Sequence, residues 1–163
     1  MIKQKDLERW SCQKSRDLYG IQSWSNGYFN ISEEGEVVVC PAGKKEGPVV
    51  SLMDIISGMT ERGLNMPVLL RIEDILNSQI GRLHTSFSAA IKEYDYKSVY
   101  RGVYPIKVNQ QEQVIAEITS HGKQYHHGLE AGSKAELIAA ISFMSDPDSL
   151  EICNGYKDEE FVD

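Results

Sequence analysis

The sequence lacks the features that mark nucleic-acid-binding, membrane and secreted proteins. It has no run rich in lysine or arginine, and 24 acidic residues outnumber 17 basic ones, which leaves a net charge of −7. A negative chain repels a phosphate backbone. No window approaches the ~20 apolar residues of a membrane span, and the charged first residues are unlike a secretory signal. We therefore expect no nucleic acid and no membrane among its partners.

Cysteine is scarce, and the common phosphate-binding loops are missing. The three cysteines, Cys12, Cys40 and Cys153, are widely spaced, odd in number and contain no C-x-x-C pair. This usage is typical of reduced thiols, so a cytoplasmic location is expected. Neither G-x-x-x-x-G-K-[ST] nor G-x-G-x-x-G occurs, which leaves nucleotide binding by those loops unsupported.

The four histidines form no recognisable metal site or nucleophilic triad. His126 and His127 are adjacent, so on a strand they point to opposite faces. His84 and His121 fall on predicted helices without a partner four residues further on. No metal ligand is therefore assigned.

The composition and the pattern of predicted elements indicate an α/β protein. The first third of the chain has a different pattern from the rest. Hydrophobic residues at 41% and charged residues at 25% are ordinary for a globular chain. The runs 28–31 and 36–40, separated by a turn at 32–35, predict a β-hairpin, and the Gly- and Pro-rich stretch 41–48 predicts a loop. Ser51 is expected to start a short helix. We divide the chain into an N-terminal segment, residues 1–66, and a second domain, residues 67–163.

Beyond Pro67 the pattern alternates between strands and helices. Strands are predicted at 67–72, 99–108, 125–130 and 150–153, with a long amphipathic helix over 75–91 and shorter helices at 110–121 and 134–144. Such alternation predicts parallel strands joined by right-handed crossovers.

Three predicted strands end in a polar residue that a helix-start signal follows. Lys107, Glu130 and Asn154 lie 23 and 24 residues apart, about one strand–helix unit each. The helix-start signals are Asn109, Ser133 and Asp158. Because parallel folds place their chemistry at the carboxyl ends of strands, we expect the three polar residues at one edge.

Each polar residue has a chemical and a structural interpretation. Burial of Lys107 would lower its pKa and expose an amine able to form a Schiff base, whereas an exposed lysine simply extends into solvent. Glu130 can pair with such a lysine or with the next helix N-terminus. Asn154 and Gly155 can approach a ligand or form a plain turn.

Five segments of the sequence are distinctive: WSNGYF (24–29), GEVVVCP (35–41), VYPIKVNQ (103–110), GLEAGSKAEL (128–137) and CNGYKD (153–158). In these segments the sequence resembles the N-terminal part of biosynthetic arginine decarboxylase, a pyridoxal-phosphate family of the alanine-racemase-like barrel class. The resemblance extends from about residue 21 to the end. It implies the first βα units of a (β/α)8 barrel, incomplete in this chain because such barrels typically need ~250 residues.

The resemblance also implies a chemistry. Lys107 matches the catalytic lysine that holds pyridoxal phosphate, Glu130 matches an acidic position near the cofactor, and Asn154 matches a strand end close to the same site. The implied reaction converts L-arginine to agmatine and CO2, as a step of polyamine (putrescine and spermidine) synthesis. The resemblance also implies that the enzyme is a homo-oligomer. The family is also associated with Mg²⁺.

The later family elements, including the glycine-rich phosphate loop and the C-terminal β-domain, are not in these 163 residues. We therefore expect an N-terminal fragment with little or no activity alone. Three alternatives stay open: a related decarboxylase or racemase acting on ornithine, lysine or diaminopimelate; a non-catalytic chain that carries pyridoxal phosphate or binds a partner; and a Schiff-base aldolase.

Overall fold

The structure is a computed structural model that describes residues 9–41, 43 and 47–162. The chain divides into two units, residues 1–75 and residues 76–163. The domain boundary placed between residues 66 and 67 stays a prediction. In the described part of the chain, no helix is both long enough and apolar enough to span a bilayer.

The first unit contains a small antiparallel sheet with short helices. Its helices are α1 (Cys12–Tyr19), α2 (Ile21–Ser25) and α3 (Leu52–Glu61), and its strands are β1 (Phe29–Ile31), β2 (Val37–Val39) and β3 (Val50–Ser51). β2 lies between the other two strands and pairs antiparallel with both. The predicted hairpin is confirmed, and Gly35 in its turn has φ +87°, which favours glycine.

The predicted short helix after Ser51 is also confirmed. The Ser51 hydroxyl accepts hydrogen bonds from the backbone N–H groups of Met53 at 3.0 Å and Asp54 at 3.4 Å, which caps α3. Residues 42 and 44–46 of the predicted loop lie outside the described residues.

The second unit is an α/β layer built on three parallel strands. It contains α4 (Glu73–Glu93) except for its first three residues, followed by β4 (Val103–Pro105), α5 (Glu112–Gly122), β5 (Gly128–Ala131), α6 (Lys134–Phe143), β6 (Glu151–Cys153) and α7 (Glu159–Val162). The strand order is β4-β5-β6, and both pairings are parallel. The predicted α/β class with successive βα units is confirmed.

The core of this unit lies between the sheet and its helices. It contains Ile80 from α4, Ile106, Ile115 and Ile118 from the first crossover, Leu129 from β5 and Ala140 from α6. Leu129 and Ala140 are completely buried. Burial of these aliphatic side chains fixes the sheet against its helices and so places the strand ends at a defined edge.

Three predicted strands differ from the observed ones. Residues 67–72 form no strand, and Leu69 is 72% exposed, because an apolar run becomes a strand only where a neighbour pairs with it. The strand predicted over 99–108 is reduced to β4: Pro105 has no N–H to continue the ladder, and residues 106–108 form one 3-10 turn. Residues 123–125 also form a 3-10 turn, and His126 has φ +53°, so β5 begins only at Gly128.

Candidate active site at the strand ends

The register of the parallel sheet brings the three predicted site residues to one edge. Pro105 on β4 pairs with Glu130 on β5, and Glu130 pairs in turn with Ile152 on β6. Lys107 and Asn154 each follow their paired residue by two positions. The expectation of a shared carboxyl-end edge is therefore met in the backbone pairing.

Lys107 lies on the 3-10 turn directly after β4, where its side chain is exposed. The neighbouring Ile106 is 3% exposed and packs in the core, so the turn that carries Lys107 is anchored by its apolar neighbour. Within the described residues, Lys107 makes no hydrogen bond or ion pair. The structure thus gives an accessible amine and does not show the desolvated pocket that one sequence interpretation required.

Glu130 is buried, at 8% exposure, in the middle strand of the sheet. Its Oε1 atom is inaccessible to solvent and has no hydrogen-bond partner among the described residues. Leaving a buried carboxylate oxygen unpaired costs free energy, so such an atom points to a donor that completes the site. Glu130 and Lys107 form no ion pair with each other in the part of the chain that the structure describes.

Glu151 is a second buried carboxylate that the sequence interpretation missed. Both of its side-chain oxygens are inaccessible and unpaired within the described ranges. Burial, and then repulsion from the Glu130 charge, raise the pKa of Glu151 to about 7. A signal was available, because Glu151 is a carboxylate between two apolar residues of a predicted strand, Leu150 and Ile152.

Asn154 directly follows β6, next to a bend at Gly155. Its backbone N–H donates to the Ala131 carbonyl at 2.8 Å, and its Oδ1 accepts from the Gly155 N–H at 2.8 Å. Gly155 has φ +83°, and a Cβ on it would lie 3.2 Å from the Gly132 carbonyl oxygen. Asn154 and Gly155 therefore form a bend, and the close approach that glycine permits here is between two strand ends. The ligand role of Asn154 stays a prediction.

Helix starts flank this edge, and the caps predicted at Ser133 and Asp158 are observed, whereas α5 has Gln111 rather than Asn109 as its N-cap. The Ser133 hydroxyl accepts from the Glu136 N–H at 3.3 Å, and the Glu136 carboxylate accepts from the Gly132 N–H at 2.7 Å. The Asp158 carboxylate accepts from the Phe161 N–H at 3.0 Å at the start of α7. Asn109 accepts from the Gln111 N–H at 3.1 Å, and α5 begins at Glu112, two residues later than predicted.

The second unit matches a known protein family. Residues 78–163 match the family model described as pyridoxal-dependent decarboxylase, pyridoxal binding domain. The chain belongs to this family.

Relatives within the family agree on one name. The chain is 45% identical to a biosynthetic arginine decarboxylase from Gloeobacter violaceus over 96% of its own length and 24% of the relative. It is 43% identical to a biosynthetic arginine decarboxylase from Bacteroides thetaiotaomicron over 96% of this chain and 25% of the relative. The chain thus spans about a quarter of the length of the curated relatives it matches.

A solved structure supports the same assignment of the fold. The biosynthetic arginine decarboxylase SpeA from Campylobacter jejuni matches with a TM-score of 0.79 at 35% identity, over 88% of this chain and 24% of that one. The resemblance found in the sequence motifs is confirmed, and with it the assignment of the second unit to a pyridoxal-binding domain.

Proposed function

We propose that this chain forms the first strand–helix units of the pyridoxal-phosphate barrel of a biosynthetic arginine decarboxylase. The complete enzyme would convert L-arginine to agmatine and CO2 for putrescine and spermidine synthesis. The observation that carries the proposal is the shared edge of Lys107, Glu130 and Asn154 within a match to the pyridoxal binding domain. The names of the relatives support arginine as the substrate.

The residues at this edge fit pyridoxal phosphate. An exposed primary amine at Lys107 can attack the cofactor aldehyde, and Glu130 offers a buried, unpaired carboxylate oxygen as acceptor for a donor on the bound group. When bound, pyridoxal phosphate supplies an electron sink for the electron pair released as the substrate carboxylate leaves as CO2.

The protein's own residues have distinct parts in this proposal. Lys107 would hold the cofactor through its amine, before substrate binds and again after product leaves. Glu130 would orient the bound group and balance positive charge beside it. Asn154 shapes the neighbouring rim of the site, where its bend lies against the end of β5.

Magnesium is not part of this proposal. Among the described residues, His126, Asp146 and Asp148 are the group whose ligand atoms lie close enough to hold a metal. Both Asp146 oxygens are already engaged, by the His126 ring and the Ser149 hydroxyl on one side and by the Asp148 N–H on the other. Since Mg²⁺ needs nearly octahedral oxygen ligands, this cluster does not fit it.

We infer that the complete enzyme is cytoplasmic and homo-oligomeric. Cys12, Cys40 and Cys153 are all free thiols, which is the usual state in a reducing compartment. The homo-oligomer is supported by the resemblance alone.

Substrate choice is the direct test of the proposed activity. The native gene product, purified from its source cells, is supplied with pyridoxal phosphate and with L-arginine, L-ornithine, L-lysine or diaminopimelate in separate reactions. Release of agmatine from arginine, with little product from the other three, supports the proposal. Preference for another amino acid assigns a related decarboxylase, and no turnover of any of them favours a non-catalytic protein.

A further inference from the structure

A second concave site lies at the opposite end of the parallel strands. Residues 98–101, just before β4, and residues 124–126, just before β5, line it together with one face of α4. Its volume is about 430 Å³. Small-molecule sites commonly span about 300–1,000 Å³, so a small organic ligand or an inorganic ion fits this space.

Stacked aromatic rings make the walls of this pocket. The His84 ring stacks on Tyr125 with centroids 4.7 Å apart and an interplanar angle of 11°. The centroid of the Tyr100 ring lies 5.0 Å from that of His84, and Tyr100 stacks on Phe87 with ring centroids 4.0 Å apart. Behind them, buried His127 holds the His84 ring through a hydrogen bond of 2.9 Å. The walls are therefore held by packing before any ligand arrives.

The charge in the pocket is positive and uncompensated. Arg101 is half-buried on the wall and makes no ion pair or hydrogen bond within the described residues. Burial lowers the pKa of His84, and the positive charge of Arg101 lowers it further. His126 already pairs with Asp146 at 2.8 Å. No carboxylate is among the described residues that line the pocket.

An anion is the ligand that this arrangement recognises. A guanidinium offers a planar fork of donors that matches a carboxylate or phosphate, and leaving it partly desolvated without a counter-ion is unfavourable. The hydroxyl groups of Thr85 and Ser88 on α4 add neutral donors along the same wall. The positive charge of Arg101 also opposes binding of a metal cation.

We propose that this pocket is a binding site for a small anion, a phosphate or an organic carboxylate, whose charged group pairs with Arg101. The site is separate from the strand-end edge that carries Lys107 and does not depend on the decarboxylase activity.

Calorimetric titration of the native gene product, loaded with pyridoxal phosphate, with inorganic phosphate and, separately, with benzoate at constant ionic strength tests this site. Saturable binding of at least one probe is expected. Arg101→Gln should weaken it about tenfold or more, because a charge-assisted bidentate contact is lost. Arg82→Gln removes the same charge from an exposed position on α4 and should leave binding unchanged. Tighter binding of phosphate would identify a phosphate ligand, and tighter binding of benzoate would identify an organic carboxylate.

Two results would overturn the site: no saturable binding of either probe, or equal loss in the two arginine variants. If circular dichroism shows that Arg101→Gln is unfolded, a measurement on the wild-type protein still tests the proposal. A bound anion offsets the charge of Arg101 and must raise the pKa of His84, which NMR titration of its ring detects with and without saturating probe. Binding that leaves the His84 titration unchanged contradicts the proposal.

Discussion

His84 on α4 and His127 immediately before β5 share a hydrogen bond of 2.9 Å between Nε2 and Nδ1, with both rings buried. Neither ring can gain a proton there without cost. Burial, and then the neighbouring His84, lower the pKa of His127 to about 4, and the pKa of His84 is also lowered. The pair therefore ties the stability of the second unit to pH.

Acid should destabilise the fold through this pair. The unfolded chain takes up a proton at His127 near pH 6.5, whereas the folded chain resists it until about pH 4. The free energy of unfolding should fall between those values, by on the order of 2 kcal/mol. Urea unfolding at pH 7.5 and pH 5 measures the loss. His127→Gln should reduce it, whereas the half-exposed His121→Gln should not; equal pH dependence in both variants would exclude the pair as its source.

Glu151 should make the free energy of unfolding depend on pH with the opposite sign. Its pKa is about 7 in the folded protein against 4.5 for an ordinary glutamate. The contribution of protonated Glu151 to the free energy of unfolding is therefore fully present below pH 4.5 and is lost as the pH rises through 7. Glu151→Gln, which is always neutral, should stabilise the chain at pH 8 by about 1 kcal/mol after allowance for solvent screening. That gain should vanish near pH 4.5 in the same unfolding assay. A gain of equal size at both pH values would show that the carboxylate charge is not its cause.

Gly128 cannot carry a side chain. A Cβ at this position would lie 1.9 Å from the carbonyl oxygen of Leu150 on the neighbouring strand segment. Gly128→Ala should separate β5 from β6 and cost about 3 kcal/mol or more, which thermal unfolding measures.

Gly58 provides the matched control for that change. It lies within α3, and a Cβ there would meet nothing within 4 Å. Gly58→Ala should therefore stabilise the chain by about 0.5–1 kcal/mol, since alanine favours the helix. A tolerated Gly128→Ala would mean that the strands are not as close as the structure places them.

Glu130 should matter more for cofactor binding than for the covalent attachment. Replacing its carboxylate with an amide, Glu130→Gln, removes a charged acceptor and should weaken pyridoxal-phosphate binding by the native gene product about tenfold. Absorbance titration with the cofactor measures this. Glu93→Gln, at the exposed end of α4, is the control and should bind normally. Unchanged affinity in Glu130→Gln would remove Glu130 from the site.

The sequence was sufficient to predict the order of elements in the second unit and the edge at which polar residues meet. Helical spacing, Ser133 and Asp158 marked helix positions because the residues that cap and pack helices are local in sequence. Strand extents were less predictable. Residues 67–72 are as apolar as a buried strand, and only the absence of a pairing neighbour, which no local pattern reports, keeps them irregular.

The burial and contacts of individual side chains also could not be predicted from the sequence. The exposure of Lys107, the unpaired oxygen of Glu130 and the buried contact of His84 with His127 depend on residues more than 20 positions apart meeting in the fold. The sequence motifs indicated the chemistry, and the structure was needed to show which side chains are buried and which are accessible.

Attachment of pyridoxal phosphate to Lys107 is the central claim, and borohydride reduction followed by peptide mass mapping tests it most directly. The native gene product, loaded with the cofactor and reduced, should carry the phosphopyridoxyl group on the peptide that contains Lys107. Lys107→Arg should abolish the label, and Lys92→Arg, on the exposed side of α4, should retain it. A label on another lysine, or one that persists in Lys107→Arg, would contradict the account.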